Sequence, residues 1–217
     1  CTDARGRGPA WGNSLFEDNA EYGYGIASAV DARRSALLSR AKGAAADPAT
    51  PAAVATALNA WIAAAADAVQ SEQLGEALVQ AIGDNPATPL LRSIAADADL
   101  LGKKSIWAIG GDGWAYDIGF AGLDHVLAQN IDINLLVMDT ECYSNTGGQM
   151  SKATPLSAVM KYAADGKRTY KKDLGRMMMT YGTVYVASIA LGADYQQAIT
   201  AMKEAEEYPG PSIVIAY

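Results

Sequence analysis

Residues 105–116 read SIWAIGGDGWAY, a short apolar run that ends in glycines around a single aspartate, Asp112. The run has the length and the unbroken apolar character of a strand that is buried on both faces of a parallel sheet. Three other segments share this character and alternate with stretches of helical spacing: 133–139 (INLLVMD), 183–189 (TVYVASI) and 212–217 (SIVIAY). The alternation predicts an α/β fold in three layers, a mostly parallel sheet with helices on both faces.

The region ahead of this sheet has a different composition. Residues 1–13 are loop-like, and Ser14 followed by Glu17 suggests a capping box for a helix that continues to about Arg40. Residues 41–100 are rich in alanine and interrupted by prolines, which predicts two to four short helices. We interpret 41–100 as a helical insertion within one domain that spans residues 1–217. Because residue 1 is not Met and residues 212–217 end without a turn, we expect a fragment of a longer chain.

Composition excludes several classes of protein. A net charge of −7 argues against nucleic-acid binding, which normally needs a basic surplus. No uninterrupted apolar stretch reaches the roughly 18 residues of a membrane span. The two cysteines, Cys1 and Cys142, are too few for a four-thiolate cluster and suit a reducing compartment.

Two loops follow the first two predicted strands, at the sheet edge where such folds bind ligands. In the loop at 110–116, glycines and a following helix N-terminus favour phosphate. The Asp112 carboxylate would repel a bare phosphate, so the pair implies a divalent cation between them. The pattern is not a dinucleotide fingerprint, because Tyr116 takes the place of the third glycine, and no GxxxxGK[ST] element is present.

The second loop, 139–149 (DTECYSNTGGQ), is dense in oxygen donors. Thr140 comes one strand–helix–strand unit after Asp112, so its hydroxyl should emerge beside that carboxylate. A GDG sequence with a polar ligand at this distance is the motif of thiamine-diphosphate enzymes. The general form of that motif ends in two asparagines, whereas this chain offers Thr140.

Two long strings carry a more specific resemblance: 110–130 (GGDGWAYDIGFAGLDHVLAQN) and 135–155 (LLVMDTECYSNTGGQMSKATP). They resemble the pyruvate:ferredoxin (flavodoxin) oxidoreductase family, as does 6–25 (GRGPAWGNSLFEDNAEYGYG). The resemblance implies a thiamine-diphosphate-binding fold, here its diphosphate-side domain. It implies Mg²⁺ held by the Asp112 carboxylate, the Thr140 hydroxyl and the Cys142 carbonyl. The other implied cofactor contacts are Gly111, Gly113, Trp114, Glu141, Tyr143 and Ser144, with Asn145 near the reacting centre and Phe16 beside the thiazolium ring.

The function implied by this resemblance is oxidative decarboxylation of pyruvate with CoA to acetyl-CoA and CO₂, with electrons passed to ferredoxin or flavodoxin. The chain would act only with the other domains, one on the pyrimidine side and one holding iron–sulfur clusters that this chain does not ligate. A cytoplasmic homo-oligomer is expected, or a mitochondrial or hydrogenosomal one in a protist. Alternatives are a pyruvate:NADP⁺ oxidoreductase, an enzyme for another 2-oxoacid, or a non-enzymatic nucleotide-binding or scaffold domain.

A basic run stands out in this acidic chain: Lys161, Lys167, Arg168, Lys171 and Lys172. We interpret it as a solvated loop and helix start. The functional alternative is a surface that attracts an acidic ferredoxin or a CoA phosphate.

Overall fold

The computed structural model describes residue 2 and residues 6–14, 17–84 and 86–217. The chain divides into two compact units, one made of Cys1–Gly25 with Ile106–Tyr217 and the other of Ile26–Ser105. The assignment of 1–217 to a single domain with an insertion at 41–100 stays a prediction.

A parallel sheet forms the centre of the first unit. Its strands within the described residues are β1 (Trp107–Gly111), β2 (Asn134–Met138), β5 (Tyr185–Ile189) and β6 (Ser212–Ala216). Their spatial order is β1-β2-β6-β5, and every pairing is parallel. The apolar runs therefore predicted the strands correctly. A separate two-stranded hairpin, β3 (Cys142–Tyr143) and β4 (Gln149–Met150), lies in the loop after β2.

Helices cover both faces of this sheet. On one face, α7 (Tyr195–Glu207) packs its alanines against Val214 and Leu136. On the other, α6 (Leu174–Met179) lies so close that a Cβ at Gly175 would be 3.5 Å from Ile215 and Val186. Successive strand residues point to opposite faces, so Val214 and Ile215 mark the two sides. The predicted three-layer α/β architecture is confirmed.

Helix α1 (Asn19–Ala46) belongs partly to each unit, and the helix α5 (Phe120–Ala128) follows β1 in the first. The start of α1 corrects one prediction. It begins at Asn19, and the amide of Tyr22 bonds to the carbonyl of Asp18. Ser14 does not cap this helix, because the helix begins five residues later; its hydroxyl donates to the Asp18 carboxylate.

The second unit is helical. It contains most of α1 together with α2 (Ala52–Ala64), α3 (Ala68–Ile82) and α4 (Pro89–Ala96). Side-chain caps begin the last two helices, with Asp67 accepting from the Gln70 amide and Thr88 from the Leu91 amide. The core is apolar and includes Leu37, Leu58, Trp61, Leu78, Leu91, Ile94 and Leu101. Within the described part of the chain, no helix has the length and apolar character needed to cross a membrane.

Candidate metal and diphosphate site

The strand register brings the two predicted loops together. Gly111 at the end of β1 pairs with Met138 at the end of β2, so Asp112 and Asp139 leave the same edge of the sheet. Asp112 is only 1% exposed. After it the chain forms a π-helical turn, Gly113–Ile118, before α5 begins. The expected juxtaposition of these two loops is present.

The three predicted metal ligands meet at the Thr140 hydroxyl. Thr140 Oγ1 lies 2.9 Å from Asp112 Oδ1 and 3.1 Å from the Cys142 carbonyl oxygen. Ligands bound to Mg²⁺ at 2.0–2.1 Å in an octahedron have neighbours about 3.0 Å apart, so both spacings fit adjacent octahedral positions. A hydroxyl has one proton and donates to one of these oxygens at a time. A cation among the three oxygens would therefore suit them better than hydrogen bonding alone.

An unusual backbone conformation at Glu141 accompanies this arrangement. Its φ is 62°, a left-handed value that few residues other than glycine adopt. Asp139 Oδ1 accepts from the Glu141 amide at 3.1 Å, and the Glu141 carbonyl accepts from the Thr154 hydroxyl. The turn lies between Thr140 and Cys142, and the carbonyl of Cys142 points back towards the Thr140 hydroxyl.

Ser151 is a residue that sequence reasoning missed. Its hydroxyl donates to Asp112 Oδ2, and its side chain is buried. Its amide donates to the hydroxyl of Thr154, which is fully buried. Partners of this kind fix the orientation of a ligating carboxylate. Ser151 and Thr154 both lie in the second string that carried the resemblance, but no spacing rule singled them out.

The glycines of the first loop serve two purposes. A Cβ at Gly113 would lie 2.3 Å from the Tyr143 ring, and a Cβ at Gly110 would lie 2.4 Å from the Trp114 indole. These two glycines make room for aromatic side chains of the site's own loops. Gly111 differs, since a Cβ there would meet no atom within 4 Å. Gly111 therefore has an open surface, and its expected contact with a diphosphate stays a prediction.

Trp114 is packed inside the protein. It is 8% exposed, and its indole nitrogen is buried without a hydrogen-bond partner among the described residues. The cofactor-lining role expected for Trp114 stays a prediction.

The remaining predicted residues are not brought to Asp112 by any described contact. Ser144 and Asn145 lie exposed in the turn between β3 and β4. Phe16 lies outside the described residues. The roles expected for these three residues stay predictions.

Asp139 forms a second buried cluster next to the metal ligands. Its side chain is 0% exposed, accepts from the Tyr116 hydroxyl at 2.7 Å and pairs with Lys171 at 2.8 Å. Burial, with the bond to Asp139, raises the pKa of Tyr116. Burial alone would lower the pKa of Lys171, but the hydrogen bond and attraction to Asp139 raise it. At Lys172 burial and the nearby charge of Lys152 lower the pKa to about 8.

The solvated interpretation of the basic run is wrong for Lys167 and Lys171. Lys167 is 6% exposed, and its ammonium group donates to the carbonyls of Thr154, Lys152 and Tyr170. Lys171 is held by two carboxylates, Asp139 and Glu141. The Lys167 ammonium is buried because backbone oxygens replace the water that it loses, whereas the Lys171 side chain stays partly exposed beside its two carboxylates. Lys161 and Arg168 are exposed, as expected.

The donor set also limits which ion the site suits. Among the described residues, no three His, Cys, Asp or Glu side chains form a cluster that could hold a metal. The site near Asp112 has one carboxylate and two uncharged oxygens instead. Such a set, completed by the oxygens of an anionic ligand, suits a hard cation.

A family of known proteins matches the part of the chain that contains this site. The family model described as "Thiamine pyrophosphate enzyme, C-terminal TPP binding domain" matches residues 92–216. That interval contains Asp112, Thr140 and Cys142.

Curated relatives are similar over nearly the whole chain. A "Probable pyruvate-flavodoxin oxidoreductase" of Escherichia coli (strain K12) is 57% identical over 217 residues, covering 100% of this chain and 18% of that protein. The "Pyruvate:ferredoxin oxidoreductase" of Moorella thermoacetica is 53% identical, with 98% and 19% covered. The "Pyruvate dehydrogenase [NADP(+)], mitochondrial" of Euglena gracilis is 47% identical, with 100% and 12% covered.

The chain thus spans about a fifth or less of the length of these relatives. The resemblance seen in the motif strings is confirmed by identities of about half or more over the full chain. With residues 92–216 matched, the chain belongs to the family of thiamine pyrophosphate enzyme C-terminal TPP-binding domains.

Proposed function

We propose that this chain anchors the diphosphate of thiamine diphosphate through Mg²⁺ at Asp112, Thr140 and the Cys142 carbonyl. It does so as the diphosphate side of a pyruvate:ferredoxin or pyruvate:flavodoxin oxidoreductase. One observation carries the metal assignment: the Thr140 hydroxyl lies within 3.1 Å of both other ligand oxygens. The names of the relatives support the reaction.

Charge supports the same assignment. Asp112 is buried, and a diphosphate next to it would be repelled unless a cation stood between them. Three protein oxygens leave three octahedral positions for diphosphate oxygens and water. The open surface at Gly111 gives the diphosphate access to this edge of the sheet.

When bound, thiamine diphosphate supplies the electron sink that lets a 2-oxoacid lose CO₂. The residues of this chain bind and orient the cofactor. Asp112 provides the charge that retains the ion, Ser151 holds that carboxylate in place, and Thr140 adds a neutral ligand. Glu141, Tyr143 and Ser144 keep the cofactor-lining roles that the resemblance gives them, with Asn145 near the reacting centre and Phe16 beside the thiazolium ring.

The other parts of the activity are assigned to regions outside this chain. The relatives are five or more times longer than the segment matched, which supports a multidomain enzyme. Those regions supply the pyrimidine-side domain, the iron–sulfur clusters and the contacts with CoA and ferredoxin or flavodoxin. We place the enzyme in the cytoplasm as a homo-oligomer.

A second candidate uses NADP⁺ as the electron acceptor, which the similarity to the Euglena protein favours. Pyruvate- and CoA-dependent reduction by the complete protein, assayed with ferredoxin, flavodoxin and NADP⁺ in turn, separates the two candidates. Reduction of NADP⁺ without an added electron carrier would favour the second.

Calorimetry tests the cofactor assignment itself. We expect saturable binding of thiamine diphosphate with Mg²⁺, much weaker binding with excess EDTA, and no comparable binding of Mg²⁺–ATP. Equal binding of ATP would instead favour a nucleotide-binding or scaffold domain. Binding of thiamine diphosphate that does not depend on the metal would contradict the ligand set.

A further inference from the structure

We propose that Lys171 is a positioning residue for the metal site. Its ammonium group holds the two residues on either side of Thr140 and thereby sets the directions of the Thr140 hydroxyl and the Cys142 carbonyl. The inference rests on the proposed Mg²⁺ site and adds a residue to which neither the motif nor the resemblance gave a role.

The contacts of Lys171 bracket the ligand in sequence. Lys171 Nζ lies 2.8 Å from Asp139 Oδ2 and 3.2 Å from Glu141 Oε1. Thr140 is the single residue between these two carboxylates. The Lys171 side chain is 23% exposed and that of Asp139 is 0% exposed, so the first contact is shielded from water. A shielded ion pair resists screening and holds its partners more firmly than a surface pair does.

The Asp139 carboxylate transmits this restraint to the turn. Its Oδ1 accepts from the Glu141 amide at 3.1 Å. Its Oδ2 pairs with the Lys171 ammonium and accepts from the Tyr116 hydroxyl. Glu141 has a φ of 62°, which costs free energy that surrounding contacts must offset. Lys171 restrains Glu141 in two ways. It pairs with the Glu141 side chain, and it holds the Asp139 carboxylate that accepts from the Glu141 amide.

Lysine suits this position because the carboxylate it faces is buried. A buried carboxylate without a counter-cation is costly and would move towards water. That movement displaces the acceptor that holds the Glu141 amide. The consequence would appear at Thr140 and Cys142, whose spacing to each other depends on that turn.

Lys172 provides a matched control. It follows Lys171 directly, and its ammonium donates to the Tyr116 carbonyl and lies over the Phe120 ring. None of its described contacts reaches residues 139–142. Lys171→Met and Lys172→Met thus remove the same group from neighbouring positions, and only the first touches the turn.

The experiment measures Mg²⁺ affinity at saturating thiamine diphosphate in the complete protein. We expect Lys171→Met to weaken Mg²⁺ binding at least about tenfold, as loss of a partner behind the ligands does elsewhere. Lys172→Met should change it less than about twofold, and Lys171→Arg should recover most of the affinity because it keeps the charge. Equal losses in Lys171→Met and Lys172→Met would overturn the inference.

A double variant separates the loss of the Lys171 restraint from the effect of an unpaired buried charge. Asp139→Asn with Lys171→Met removes both charges, so no buried carboxylate is left unpaired. The introduced carboxamide keeps an oxygen for the Glu141 amide but has no cation to hold it. We expect Mg²⁺ affinity to remain about tenfold weaker than in the unmodified protein. Normal affinity in this pair would show that a stranded charge, and not a lost restraint, caused the defect.

Making Lys171→Met in a Thr140→Val variant separates the role of Lys171 from the proposed function. In Thr140→Val, the Lys171→Met change should weaken Mg²⁺ binding by clearly less than about tenfold, because one of the two ligands that Lys171 positions is gone. A further tenfold loss there would indicate a general structural role and overturn the inference. If Thr140→Val alone left Mg²⁺ affinity normal, the metal site itself would be wrong. If Thr140→Val weakened binding and Lys171→Met did not, only the role of Lys171 would fail.

Discussion

The two units of the chain bury different kinds of side chain. In the helical unit, Ile26–Ser105, the buried polar side chains among the described residues are the hydroxyls of Thr50, Ser71 and Thr88. In the sheet unit they include charged groups, among them Asp112, Asp139 and Lys167. Burying a charge is costly unless partners surround it, so a fold rarely does so for stability alone.

The contrast indicates where the chemistry lies. The helical unit is organised by an apolar core with caps at its helix ends, and nothing described in it points to a ligand. In the sheet unit the buried charges gather beyond the carboxyl ends of β1 and β2, where α/β folds bind ligands. Changes in the helical unit should therefore affect stability, whereas changes at the buried charges should affect cofactor binding.

The largest expected effect is on the stability of the helical unit. Trp61 is 1% exposed, and its indole donates to the Leu101 carbonyl at 3.0 Å. Trp61→Ala should lower the free energy of unfolding by about 3–5 kcal/mol, since it leaves a large cavity and removes one of the two described donors to the Leu101 carbonyl, the other being Arg34. Denaturant unfolding measures this loss. Under conditions where the variant stays folded, the cofactor affinity should be unchanged. A loss of more than about threefold would contradict the view that the helical unit affects only stability.

Asp112→Asn should have the next largest effect, this time on binding. An amide replaces the one carboxylate among the proposed ligands, so affinity for thiamine diphosphate at fixed Mg²⁺ should fall at least about a hundredfold, or about 2.7 kcal/mol. Calorimetry on the complete protein measures it. Retained activity after dialysis and assay without added cofactor would rule out the assignment of Asp112.

Ser151→Ala should produce a smaller loss at the same carboxylate. Without the Ser151 hydroxyl, Asp112 Oδ2 loses a buried donor, and the contact of Oδ1 with Thr140 alone holds the carboxylate less firmly. We expect cofactor affinity to fall about tenfold at fixed Mg²⁺. A loss as large as that of Asp112→Asn would make Ser151 a ligand and not a supporting residue.

The smallest effect concerns a charged group of the helical unit. Hydrogen bonds from Arg40 and Arg33 lower the pKa of Asp97 below its ordinary value of 3.8. A lowered carboxyl pKa stabilises the folded state above pH 3.8, and this contribution is lost as the pH falls through the lowered pKa. Asp97→Asn should thus lower Tm slightly at neutral pH, and the difference should shrink in acid. A difference that grows in acid, or a change in cofactor affinity, would contradict this.

Much of the fold could be predicted from the sequence, because unbroken apolar runs identify strands buried on both faces. The strand order could not be predicted, since nothing in the apolar runs shows that β6 lies between β2 and β5. The start of α1 was misplaced because Ser14 fits a capping pattern, although its hydroxyl bonds to Asp18.

The site was predictable in part for a similar reason. Residues that follow neighbouring parallel strands emerge at one edge, which places Thr140 beside Asp112. The contact with the Cys142 carbonyl depends on a left-handed backbone at Glu141, and a glutamate gives no sequence signal of it. Lys171 and Ser151 lie far along the chain from the residues they hold, so only the folded structure joins them.

In the proposed site, Thr140 contributes a side-chain ligand and Cys142 only its backbone carbonyl. Thr140→Val and Cys142→Val change neighbouring positions of one loop by a few atoms each. At fixed Mg²⁺, Thr140→Val should lower thiamine diphosphate affinity at least tenfold, about 1.4 kcal/mol, because one ligand is lost. Cys142→Val should leave the affinity within about twofold, because the carbonyl remains. Similar losses in both would indicate general fragility of the loop, and a severe loss confined to Cys142→Val would indicate a thiolate ligand and contradict the proposed site.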